Sequence, residues 1–152
     1  MSTNDIFNYI QVDDHISTAG QPTEDQLRDA AAEGFTAIIN LAPVNPPYTP
    51  ANEAGVAREL GLNYIYIPVD WNKPTDADFA AFEQAMGETA GERTLIHCAA
   101  NFRVTAFYSL YAQKHLGWSE GQAEALRARI WAGSDYPVWE AFIARQRAAL
   151  SG

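Results

Sequence analysis

The chain has 152 residues, 47% of them apolar and 19% charged, the composition of an ordinary globular protein, and a single domain over residues 1–152 is expected. Its net charge is −9, with 14 acids against 3 bases in residues 1–90 and 5 against 7 in residues 91–152. An acidic chain repels nucleic acid and anionic membrane, so neither is expected as a partner, and no apolar run approaches the roughly 20 residues of a membrane helix.

Tyr9–Ile10–Gln11–Val12 and His15–Ile16–Ser17–Thr18 read as short strands about the turn-prone Asp13–Asp14. Thr23, with Gln26 three residues on, forms a capping-box pattern that opens a helix after Pro22, and Gly34 closes it. Phe35–Thr36–Ala37–Ile38–Ile39–Asn40 is apolar almost throughout, as a strand covered on both faces must be. The Pro-rich run from Ala42 to Pro50 reads as a surface loop. A helix from Ala51 to Leu60 is stopped by Gly61, and the strand Tyr64–Ile65–Tyr66–Ile67 is closed by Pro68. Thr75 can cap a helix on which Phe79, Phe82 and Met86 share one face.

Arg93–Thr94–Leu95–Ile96–His97 is the next strand. Residues Arg103 to His115 form a helix apolar on most sides, hence central and buried. Ser119 and Gln122 repeat the capping-box pattern and open a helix through Ile130. Pro137 suits the first turn of a last helix carrying Val138, Phe142 and Ile143. Strands alternating with helices over short loops predict an α/β fold of three layers, a mostly parallel central sheet flanked by helices. Ligands in such sheets bind beyond the carboxyl ends of the strands, which is where Cys98 falls.

Cys98 is the only cysteine, so no internal disulfide exists, and three scattered histidines give no metal-ligand spacing; no metal or cofactor is expected. From Cys98 the chain runs through Ala99, Ala100, Asn101 and Phe102 to Arg103, a short loop entering a helix. Unpaired amides and the helix dipole at such an entry bind an oxyanion and favour thiolate, the nucleophilic form of cysteine. Arg103 adds a planar donor fork matched to a phosphate edge, and the small Ala99 and Ala100 let the backbone approach closely. These parts suit in-line attack of sulfur on phosphorus. The acid for the leaving oxygen should come from another strand's carboxyl end, where Asp70 lies. Asp76 and Asp78 are alternatives that read better as helix N-terminal acids. Trp71 is a candidate wall of the site, the loop around Tyr48 another, while Trp118, Trp131 and Trp139 read as packing.

His97–Cys98 followed closely by Arg103 resembles the signature of the cysteine-based protein tyrosine phosphatase superfamily. Ile16–Ser17–Thr18–Ala19–Gly20–Gln21–Pro22 and Ile67–Pro68–Val69–Asp70–Trp71 resemble its small bacterial phosphatase-like family, that of the beta-lactamase hydrolase-like proteins, sometimes found fused to sulfur-metabolism enzymes. The resemblance covers roughly residues 9–115. It implies Cys98 as nucleophile, Arg103 as phosphate clamp, His97 as a neighbour tuning the thiolate and Asp70 as general acid. It implies a phosphoric monoester hydrolase acting on a phosphorylated protein or a small-molecule phosphate, with the anion held by Ala99, Ala100, Asn101, Phe102 and Arg103.

The loop departs from the superfamily pattern. Four residues separate Cys98 from Arg103, one fewer than usual. No mid-loop glycine is present, and Asn101 is the nearest residue tolerant of a left-handed backbone. The hydroxyl that usually follows the arginine is displaced by one, to Thr105. A loop this short also resembles that of rhodaneses, so two alternatives stand beside the phosphatase: a sulfurtransferase carrying a persulfide on Cys98, and a non-catalytic anion-binding module. Met1–Ser2–Thr3–Asn4–Asp5 carries no basic-then-apolar leader, and the expected location is cytoplasmic.

Overall fold

The computed structural model describes residues 3–43, 52–131 and 136–151. After a short 3-10 turn, Thr3–Asp5, come β1 (Ile10–Gln11), β2 (Ile16–Ala19), α1 (Glu24–Ala32), β3 (Ala37–Asn40), α2 (Glu53–Glu59) and β4 (Asn63–Tyr66). Then follow α3 (Asp76–Glu88), β5 (Thr94–His97), α4 (Phe102–His115), α5 (Glu120–Ala128) and α6 (Pro137–Ser151). Most of the Pro-rich run, with Tyr48, lies outside the described residues. No helix among the described residues is long and apolar enough to cross a membrane.

The sheet order is β1-β2-β5-β3-β4, parallel except for the antiparallel edge strand β1. Ala19, His97, Asn40 and Tyr66 stand in register across β2, β5, β3 and β4, so the carboxyl ends of four strands form one rim. Side chains alternate along each strand. Ile38 and Leu95 enter one core with Leu27, Ala30, Val56 and Ala57 of α1 and α2. Ile39 and Ile96 enter the other, with residues of α3, α4, α5 and α6. This is the three-layer α/β architecture read from the sequence.

Local chemistry sets the helix ends. Thr23, Thr75 and Ser119 each accept from the backbone amide three residues on, and each closes a reciprocal capping box. Gly34 and Gly61 take φ of 101° and 75°, the left-handed region that stops a helix. The helix expected through Ile130 ends at Ala128 instead. The chain turns there because Trp131 is drawn inward, stacking on Phe102 at 5.1 Å and donating from Nε1 to Thr105 Oγ1 at 3.0 Å. Helix α4 is buried as expected: Phe107 packs on Phe79, Phe82 and Phe142 with centroids 5.6–5.7 Å apart.

Glu124 joins α5 to α6. Its carboxylate accepts from Arg127 Nε and Nη2 at 2.8 and 2.9 Å and lies 3.3 Å from Arg147 Nη1. The Arg127 hydrogen bonds, helped by Arg147 and opposed by partial burial, pull the carboxyl down to about 2. A folded-state value below the ordinary 4.5 contributes stability above that pH and loses it as the pH falls toward about 2. Urea midpoints followed through that acid window should therefore drop, and Glu124→Gln should flatten the drop. An unchanged slope in the variant would assign the acid sensitivity to other groups.

Candidate active site

Beyond the rim of strand ends lies a cavity of about 190 Å³ lined by Trp71, Cys98, Ala99, Ala100, Phe102 and Arg103. Cys98 is 1% exposed at its base. The backbone leaving β5 is held from the N-terminal side. Cys98 N donates to Ala19 O at 3.3 Å, Gln21 N to Ala99 O at 3.0 Å, and Asn8 Nδ2 to Ala100 O at 3.0 Å. In a trans peptide the next amide points opposite to the carbonyl, so the amides of Ala100 and Asn101 turn away from these partners. Gly20 is required for this contact: a Cβ there would stand 2.8 Å from Ala99 O and 2.9 Å from Phe7 O.

Asn101 takes the left-handed conformation, φ 71°, and caps α4. Its fully buried side chain faces the buttress rather than a ligand, donating to Asn8 O at 2.9 Å and Thr18 Oγ1 at 3.0 Å. Arg103 reaches from the first turn of α4 across to the ends of β3 and β4. Its Nη1 donates to Val69 O at 3.1 Å and Leu41 O at 3.4 Å, and its guanidinium lies 5.8 Å from the Trp71 ring. Among the described residues Nε and Nη2 have no protein partner, which leaves an edge of the fork for an anion.

The remaining expected residues hold the site from behind or beside. His97 is fully buried, with Nε2 2.7 Å from Glu53 Oε2 and Nδ1 3.3 Å from Cys98 O, so its ring meets the backbone of Cys98. Thr105 donates to Asn101 O at 2.9 Å and receives Trp131 Nε1, bracing the first turn of α4 and the ring stacked on Phe102. Asp70 is exposed, its Oδ1 accepting from Asn72 N at 2.9 Å, on the loop that brings Trp71 to the cavity; it is not itself in the lining. Asp76 ties α3 to α6 through Gln146 and Arg145 at 2.7 and 3.3 Å, and Asp78 closes the Thr75 capping box. Both alternative acids thus have structural partners.

Sequence reasoning passed over Glu53, which takes bonds from His97 and Gln21, and the part that Trp131 and Trp139 play. Trp139 Nε1 donates to Trp71 O at 2.8 Å and its ring stacks on Trp71 at 5.3 Å, pinning the wall of the cavity to α6. Among the described residues there is no cluster of His, Cys, Asp and Glu suited to a metal ion.

A cysteine at the end of a central parallel strand, a tight loop and an arginine in the next helix define a phosphatase-like site of the cysteine class. The sequence of residues 8–115 matches the family described as beta-lactamase hydrolase-like protein, phosphatase-like domain, and the chain belongs to that family. The beta-lactamase hydrolase-like protein of Xylella fastidiosa is 35% identical over 104 residues, 66% of this chain and 24% of that protein; that of Agrobacterium fabrum is 34% identical over the same shares. The chain therefore spans about a quarter of the length of these curated relatives. A crystal structure of a candidate phosphatase from Shewanella putrefaciens superposes with a TM-score of 0.86 at 30% identity, covering 97% of this chain and 95% of that one. TpbA of P. aeruginosa shares the fold, with a TM-score of 0.73 at 13% identity and coverage of 96% and 92%.

Proposed function

We propose that this chain hydrolyses a phosphomonoester through a phosphocysteine intermediate. The observation that supports it is one cavity lined by Cys98, an edge of the Arg103 fork that has no partner among the described residues, and loop carbonyls turned outward onto Gln21 and Asn8. In the first step Cys98 Sγ forms a bond to phosphorus as the P–O bond to the leaving group breaks. Arg103 and the loop amides meet the charge on the equatorial oxygens, and Asp70 gives its proton to the departing oxygen. In the second step water attacks phosphorus, its proton passes to Asp70, and the S–P bond breaks to release phosphate and the thiolate. Trp71 and Phe102 flank the entrance and receive the body of the substrate, a phosphorylated protein or a small phosphate ester. A cytoplasmic setting, where a lone thiol stays reduced, suits this chemistry.

Two observations favour a second reading, sulfane-sulfur transfer on Cys98. The loop has four residues between Cys98 and Arg103, and among the described residues no carboxylate lines the cavity. Asp70 separates the two readings. For a phosphatase, Asp70→Asn should cost roughly 10²–10⁴-fold on an alkyl phosphate, whose oxygen needs a proton. It should cost little on an activated aryl phosphate. A sulfurtransferase should show neither loss, because the group expelled from a sulfane sulfur takes no proton from Asp70. The measurement is turnover of both esters and of thiosulfate by wild type and variant. Thiosulfate-dependent cyanide consumption without hydrolysis of either ester would assign the site to sulfur. No turnover of any of the three would leave an anion-binding module.

A further inference from the structure

Glu53, the first residue of α2, is 4% exposed yet surrounded by donors. His97 Nε2 lies 2.7 Å from Oε2, Tyr64 Oη donates to Oε2 at 2.8 Å, and Gln21 Nε2 donates to Oε1 at 2.7 Å. Tyr64 Oη in turn accepts from Asn40 Nδ2 at 3.0 Å, and Asn40 Oδ1 accepts from Ala42 N at 2.9 Å. Burial opposes ionisation of Glu53. Hydrogen bonding and charge from His97, with the bonds from Gln21 and Tyr64, outweigh it and hold the carboxyl below the usual range. Burial and then the Glu53 charge push Tyr64 up, which keeps its hydroxyl a donor.

Two of these three donors belong to residues that grip the anion loop. His97 Nδ1 is 3.3 Å from Cys98 O, and the Gln21 backbone amide donates to Ala99 O at 3.0 Å. One carboxylate therefore fixes both residues that hold the first two carbonyls of the loop. We propose that Glu53 is a positioning residue for the nucleophile: through His97 and Gln21 together it sets the Cys98–Ala99 backbone and with it the direction of the Cys98 sulfur. The inference rests on Cys98 acting as a nucleophile, not on whether it attacks phosphorus or sulfur.

The hydrogen-bond logic goes one step further. The ionised Glu53 carboxylate faces Nε2, which makes that nitrogen the donor of the pair, and Nδ1 faces the Cys98 carbonyl. Glu53 thus orients the ring against the backbone of Cys98. A buried carboxylate adds little net stability over apolar packing, whereas this one ties the Cys98 and Ala99 carbonyls to one anchor through His97 and Gln21.

The test compares wild type with Glu53→Gln, which keeps the shape and removes the charge. Iodoacetamide alkylation of Cys98 at neutral pH should slow by about tenfold, the size of effect that supporting partners exert on the groups they orient. Nitrogen NMR should place a ring N–H of His97 on Nε2, hydrogen-bonded to the carboxylate, in wild type. The thermal midpoint of the variant checks that it is folded. Alkylation at the wild-type rate by folded Glu53→Gln would overturn the proposal. So would a His97 Nε2 that carries no proton in wild type, a result independent of whether the variant folds. If wild type hydrolyses no phosphate ester but both effects appear, the phosphatase reading fails and the role of Glu53 stands.

Discussion

Cys98→Ser is expected to abolish turnover, by on the order of 10⁴-fold or more, while leaving anion binding in place. Among the described residues the sulfur is the only lining group suited to attack, and a serine hydroxyl there meets no described base: the His97 ring is committed to Glu53 and to the Cys98 carbonyl. The anion-holding parts are untouched, since Arg103 is anchored on Val69 and Leu41 and the loop carbonyls on Gln21 and Asn8. Rapid quenching of wild type with a labelled substrate should trap a covalent adduct, and the variant should trap none. Calorimetry with phosphate should give similar affinities for the two. A variant that kept even a hundredth of the wild-type rate would remove Cys98 from the chemistry.

Arg103→Ala should fail differently, losing the anion as well as the reaction. Truncating one partner of a partly buried, hydrogen-bonded charge pair costs about 2–5 kcal/mol, here read as phosphate affinity. A second loss follows from its other contacts. Nη1 is the donor for Val69 O and Leu41 O, and Val69 immediately precedes Asp70 and Trp71. Leu41 O keeps the Val69 amide at 3.0 Å, but Val69 O without that donor, at about 1–3 kcal/mol if it finds no water, should also lower the melting temperature. Arg103→Lys separates the effects, because it keeps the charge and gives up the fork. Affinity restored by lysine to the wild-type value would mean that charge alone, not the planar fork, holds the anion.

What could be read in the sequence was local. The capping residues Thr23, Thr75 and Ser119 act within three residues of themselves, so their pattern survives without a fold around it. Asn101 was legible for a similar reason: only a residue tolerant of positive φ can stand where the missing glycine would, and its φ is 71°. Glu53 was not legible. It lies 44 residues from His97, and in sequence it is one more acid in a helical first turn, where acids are common. Trp131 and Trp139 read as packing, and they are packed, but that they back Phe102 and Trp71 follows from α5 ending early and α6 lying against the loop after β4. Asp76 and Asp78 read as helix N-terminal acids beside the Thr75 cap, and Asp78 does accept from Thr75 N, whereas Gln146 as the partner of Asp76, 70 residues away, comes from the fold alone.

The strand order has a consequence for how the protein comes into being. β5, which carries the cysteine into place, is inserted between β2 and β3, two strands made well before it. Pairings so far apart in the chain form late, since loop closure must precede them. During synthesis β2 and β3 must therefore wait, side by side but unpaired, until residue 97 has emerged, and the Trp71 wall waits longer, for Trp139. The thiol acquires its surroundings in the same event that closes the sheet, so a half-folded chain carries a cysteine without its loop and an open sheet centre, and the site is assembled only with the finished fold.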